Sequence, residues 1–106
     1  MLAHNVYFTL KNRTDAARET LVAACKTYLV KHPGIVFFTC GTLAQELSRP
    51  VNDRDFDVSL HVVFDSVASH DLYQDAPLHH QFVNENKETW ATVRVFDSVV
   101  ERAESV

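Results

Sequence analysis

The chain has 106 residues, 46% of them hydrophobic and 23% charged, with a formal net charge of −4. That length supports one domain around one core, and the composition is that of an ordinary folded protein rather than a disordered one. The acidic balance, without any Lys/Arg cluster, argues against a general nucleic-acid binder, and no apolar run approaches the roughly 20 residues needed to cross a bilayer.

The N-terminal "MLAHNVYFTLKN" lacks a cationic n-region, so it reads as a first strand and not as a signal peptide. Within residues 2–10, Val6, Phe8 and Leu10 share one face and Asn5, Tyr7 and Thr9 the other, the period of a strand. A long amphipathic helix follows in "KNRTDAARETLVAACKTYLVKH", with Thr14 as N-cap, Asp15 in the first turn, and Ala17, Leu21, Ala24, Cys25 and Tyr28 at helical spacing. "HPG" at 32–34 ends it, because Pro33 cannot continue the ladder and disfavours helical geometry at His32. "IVFFTCG" is a second strand, with Gly41 expected at a bend or bulge. The polar "AQELSRPVNDRD" is a connection, since Pro50 does not suit a central strand.

"FDVSLHVVF" alternates again as the third strand: Phe56, Val58, Leu60, Val62 and Phe64 on one side, Asp57, Ser59, His61 and Val63 on the other. Ser66 can cap a short helix through "VASHDLYQD", and Pro77 suits the first turn of another, "PLHHQFVNENK". "TWATVRVFDSVV" is the fourth strand. The domain is expected over residues 2–98, with 99–106 as a tail.

The order βαββαβ is the split-βαβ arrangement: an α+β, ferredoxin-like fold with an antiparallel four-stranded sheet and helices on one face. The opposite face should then be polar. Instead Tyr7, Phe37 or Phe38, Val63, and Phe96 or Val95 leave apolar residues on both faces, and an identical sheet from a second copy is the economical cover. A homodimer is therefore expected from the strands alone. The two cysteines, Cys25 and Cys40, fall in apolar patterns and read as buried thiols of a reducing compartment, the cytoplasm.

Chemistry is concentrated in "LYQDAPLHHQF". On the Pro77 helix, Leu78, His79, Phe82, Val83 and Asn86 form a band at 3–4-residue spacing, so His79 looks inward and His80 outward. A neutral imidazole beside the Tyr73 phenol can remove a proton next to a carbonyl while the phenol donates to the forming enolate. The structural alternative has His79 bonding a backbone carbonyl and Tyr73 packing its ring. No metal site is expected: His70, Asp71, Asp75, His79 and His80 are suitable ligand types, but their spacing matches no strong motif. Only Gly34 and Gly41 exist, and neither belongs to a phosphate-cradling loop.

Taken together, "HNVYFTL", "HPGI", "FDVSLHVVFDS", "LYQDAPLHHQFV" and "VRVFDSV" occur in an order and spacing that resembles the stress-responsive A/B barrel (Dabb) family, over roughly residues 2–98. The resemblance implies a ferredoxin-like domain whose sheet pairs with that of a second copy to form a dimeric α+β barrel. It is also distantly similar to olivetolic acid cyclase, a plant polyketide cyclase of the family that works without metal or cofactor. That similarity implies Tyr73 and His79 as the catalytic pair, with His4 and Trp90 lining the pocket. Two positions depart from the pattern: Ala76 replaces a common His before the Pro, and Cys25 replaces an aromatic of the cyclase. The leading expectation is a small-ligand-binding barrel for an apolar or carbonyl-containing ligand. The alternatives are a cofactor-independent lyase or isomerase and a cofactor-free monooxygenase-type barrel.

Overall fold

The computed structural model describes residues 1–103. Its elements are β1 (Leu2–Leu10), α1 (Asp15–Tyr28), β2 (Ile35–Thr42), β3 (Val58–Phe64), α2 (Val67–Asp75), α3 (Pro77–Asn86) and β4 (Trp90–Val99), with a single 3₁₀ turn at Lys87–Thr89 leading into β4. The strands lie in the order β2-β3-β1-β4 and every neighbouring pair is antiparallel. This is the ferredoxin-like α+β fold.

Local chemistry sets most boundaries. Thr14 accepts the Ala17 amide at 3.2 Å and starts α1, a side-chain cap of the kind that typically contributes about 1 kcal/mol. The helix closes earlier than "HPG", where the Leu29 amide donates back to the Cys25 carbonyl. Gly34 then turns the chain into β2 at φ +88, and any Cβ there would collide with the Ser69 side chain. Ser66 caps α2 through the Ser69 amide, and Ala76, extended as residues before proline tend to be, separates α2 from α3.

The core lies between sheet and helices. Val6, Phe8 and Leu10 of β1 and Val58, Leu60, Val62 and Phe64 of β3 are buried against Leu21, Cys25 and Leu29 of α1, with Tyr73 and Phe82 from α2 and α3. Full burial of side chains this size contributes roughly 1.5–3 kcal/mol each before entropy is subtracted.

Three expectations are corrected. The alternation of β3 does not reach Phe56: the ordered ladder begins at Val58, and Phe56 turns to the outer face, where its ring packs 5.0 Å from Tyr7. Asp57, expected on the polar side, is 2% exposed and holds the first turn of the chain in place. The irregularity of β2 falls between Ile35 and Phe37, while Gly41 pairs regularly with Ser59. Register also decides the ambiguous pairs. Phe37 and Phe96 lie on the outer face, opposite Val63 and Asn5, whereas Phe38 and Val95 lie on the helix side. β4 continues past residue 98, since Val99 pairs with Leu2 and the Val100 amide donates to the Met1 carbonyl. Of the expected tail, positions 104–106 lie outside the described residues.

Candidate functional site

Three elements converge at one end of the core. His4 occupies the inward phase of β1 between Leu2 and Val6 and is 5% exposed. Tyr73 sits in the last turn of α2, and the break at Ala76–Pro77 swings α3 round so that His79 returns against it. Their ring centroids are 4.8 Å apart. His32, from the turn after α1, stacks edge-on to Tyr73 at 5.1 Å, and His4 approaches it at 6.0 Å. Trp90 opens β4 and packs on Phe8 and Phe82 at 5.0 and 5.8 Å.

A cavity of about 170 Å³ lies among these groups, with His4, Tyr73, Gln74, His79 and Trp90 in its wall. The remaining lining is apolar, and the inward side chains of β4, Val93 and Val95, form an exposed lip. All four residues expected at a site, His4, Tyr73, His79 and Trp90, therefore border one space. Two buried polar atoms there, His79 Nδ1 and Trp90 Nε1, have no hydrogen-bond partner. His79 Nδ1 therefore makes no bond to a backbone carbonyl.

Electrostatics keeps the site neutral. Burial, helped by His80, His4, His32 and His70, lowers the His79 pKa to about 4. Burial likewise raises the Tyr73 phenol far above its ordinary range. His4 is also lowered by burial, against the opposing pull of Asp97, whose Oδ1 lies 2.6 Å from His4 Nδ1. At neutral pH the cavity therefore presents neutral imidazoles and a protonated phenol. Such a wall can donate to a carbonyl oxygen and, through His4 or His79, accept a proton. Held to about 4, His79 is a weak base, and His4 has its ring oriented by the Asp97 carboxylate.

Sequence reasoning found no partner for His4; β1–β4 register supplies one, since His4 faces Asp97 directly. The signal was present in "VRVFDSV": Asp97 shares the phase of Val93, Val95 and Val99, a lone charge on an otherwise apolar strand face. His70 was also missed as a neighbour, its ring centroid 5.0 Å from His4. His61 is not part of this site. It lies on the outer face, with Nδ1 3.0 Å from Asn5 Oδ1. His80 is exposed, as expected from its helical position. Cys25 is buried with its pKa raised to about 12, and the half-buried Cys40 is raised too, so neither is a ready thiolate nucleophile.

Fold and site together define a small ferredoxin-like α+β domain that holds a compact, neutral pocket between its sheet and the α2–α3 hairpin. The chain belongs to the Stress responsive A/B Barrel Domain family, Dabb, matching its profile over residues 2–100. Solved structures agree. A Dabb family protein from Mesorhizobium loti with a ferredoxin-like fold is 21% identical with a TM-score of 0.77, covering 95% of this chain and 97% of that one. A dimeric ferredoxin-like protein of unknown function from Thermobifida fusca is 15% identical with a TM-score of 0.75, covering 93% and 90%. The hydroxynitrile lyase from Passiflora edulis is 19% identical with a TM-score of 0.74, covering 98% and 96%. Likeness at these identities establishes the fold. No curated protein matches the sequence.

Proposed function

We propose that the domain binds a compact carbonyl-containing ligand in the cavity bordered by His4, Tyr73, His79 and Trp90. The observation that carries this reading is the convergence of His4, Tyr73, His79 and Trp90 on one cavity, two of them, His79 and Trp90, with a buried nitrogen that lacks a hydrogen-bond partner. Buried polar groups are nearly always hydrogen-bonded, and an indole N–H can only donate, so the missing partner is an acceptor. Size restricts it further. A cavity of about 150 Å³ accepts benzene, so 170 Å³ suits a ligand of similar bulk and is too small for an extended polyketide.

A second reading has its own support. The His4–Asp97 pair beside a protonated Tyr73 is arranged for proton transfer at a carbon next to a carbonyl. In this reading His4 takes the base's part expected of His79, and Tyr73 keeps the donor's part.

Cyclohexanone tests both. Trp90 is the chain's single tryptophan, so its fluorescence reports directly on the cavity. A saturable change is expected with a dissociation constant of about 1 mM, the scale reachable by seven heavy atoms, and it should vanish in His79→Phe. A response that only rises linearly to the solubility limit would contradict ligand binding. In D₂O, proton NMR of the same mixture reads enolisation. Accelerated deuterium exchange at the α-carbons supports the enzyme reading, and exchange at the buffer rate removes it.

The outer sheet face supports a homodimer. Phe37 and Phe96 are 55% and 53% exposed, and Tyr7 contacts both Phe56 and Phe96 at ring distances of 5.0 and 5.9 Å. Aromatic side chains left this exposed on a sheet face suit an interface with a second copy, and a structural relative is described as dimeric. Sedimentation is expected to show a dimer at micromolar concentration and at least tenfold weaker association for Phe96→Lys. A wild-type monomer at tens of micromolar would refute it. No described helix is long and apolar enough to cross a membrane. The two free thiols favour a cytoplasmic location.

A further inference from the structure

The geometry points to a divalent-cation site formed by His4, His70 and Asp97, taking Zn²⁺ or a similar borderline transition metal. The three residues come from β1, α2 and β4, and their ligand-capable atoms lie within 4.8 Å of one another. Local spacing could not reveal the set, because His70 and Asp97 stand 66 and 93 positions from His4 in the chain.

Two imidazoles and one carboxylate on one side of an ion are an established donor set for Zn²⁺ and Fe²⁺, leaving further coordination positions open. Metal–ligand bonds of about 2.0–2.2 Å place ligand atoms roughly 3.3 Å apart around a tetrahedral ion. The His4–Asp97 contact, now 2.6 Å, would widen, and separations of up to 4.8 Å would contract by up to about 1.5 Å to reach the tetrahedral spacing. The side chains able to move are the accessible ones: Asp97 is 43% exposed and His70 16%, while β1 and the core fix His4. When the ion takes His4 Nδ1, the ring hydrogen passes to Nε2, so the imidazole stays neutral.

The surroundings match a ligating site. Asp71 Oδ1 lies 3.1 Å from His70 Nδ1, which fixes that ring and leaves its other nitrogen to ligate, the usual outer-shell arrangement of a metal-bound histidine. His4 is common to this cluster and to the cavity wall, so a bound ion would sit where the pocket meets solvent. Ion binding does not depend on the ligand proposed above, and its test uses the metal alone.

Titration of the intact chain with Zn²⁺ by calorimetry at pH 7.5, and with Co²⁺ by visible absorption, is expected to saturate at one equivalent per chain. His70→Ala and Asp97→Asn should each weaken affinity at least tenfold, whereas His80→Ala, which removes an exposed imidazole outside the cluster, should leave it unchanged. Both cluster substitutions fall on accessible side chains, and circular dichroism confirms that the variants fold. Binding that survives both substitutions, binding lost in His80→Ala, or the absence of saturable uptake by the unmodified chain would each overturn the site.

Discussion

Replacing Asp57 by alanine is expected to cost about 3 kcal/mol of folding stability, the lower end of the range for stripping one partner from a buried ion pair. Asp57 is 2% exposed, yet it carries three charge-assisted contacts. Its carboxylate accepts the Leu10 amide at 2.8 Å, Arg18 Nε at 2.9 Å and Arg13 Nε at 3.1 Å. Burial alone would push this carboxyl up, but the amide and the two guanidinium groups outweigh it and hold the pKa below its ordinary value. Alanine leaves the end of β1 and Arg18 without that partner, and the unmade bonds carry the cost. Urea denaturation should show the loss as a lowered midpoint, and a thermal scan as a fall of about 15 °C for a domain this small. A change below 1 kcal/mol would show that solvent replaces the carboxylate freely and that the junction of β1, α1 and β3 does not rely on it.

Acidification from pH 6.5 to pH 4 is expected to destabilise the fold by about 2 kcal/mol through His79 alone. The sign follows from the lowered pKa, about 4 in the folded chain against 6.5 for an ordinary histidine. Above 6.5 neither state binds the proton, and the stability is complete. Between the two values the unfolded chain takes up a proton that the folded chain refuses, so stability falls as the pH falls. Each unit corresponds to about 1.4 kcal/mol, and the partial solvent access of His79 reduces the sum. The groups facing His79 reinforce the effect: His80, His4, His32 and His70 disfavour its charge, and the Tyr73 ring beside it supplies no anion. His79→Phe should flatten the stability profile across this window, and an unchanged slope in that variant would show that His79 does not stay neutral. The loss from Asp57 belongs to pH below about 3.8 and is separable.

Element order and faces were legible because the sequence repeats its own signals. Thr14 and Ser66 cap helices, Pro77 opens one, and inward residues of β1 and β3 keep period two over five and four positions. Where a signal was single, it misled. Phe56 continues the alternation of β3 in sequence but lies before the ladder begins. Nothing local distinguishes the outward Phe37 from the inward Phe38, which only pairing with Val63 and Val62 separates.

By itself, then, the sequence determined the fold class, the core strands, the apolar residues on both sheet faces and the inward position of His79, because propensity, capping and periodicity act over a few residues. That His4, Tyr73, His79 and Trp90 share one pocket was implied only by the family resemblance. Tertiary structure alone decided the chemistry available there. The β1–β4 register sets Asp97 opposite His4, the α2–α3 break brings Tyr73 against His79, and α2 lays His70 beside His4. The cavity and the two unpartnered nitrogens of its lining residues also arise where side chains of different elements meet in the fold. Those quantities depend on distances between residues far apart in the chain, and no local pattern of side chains specifies such distances.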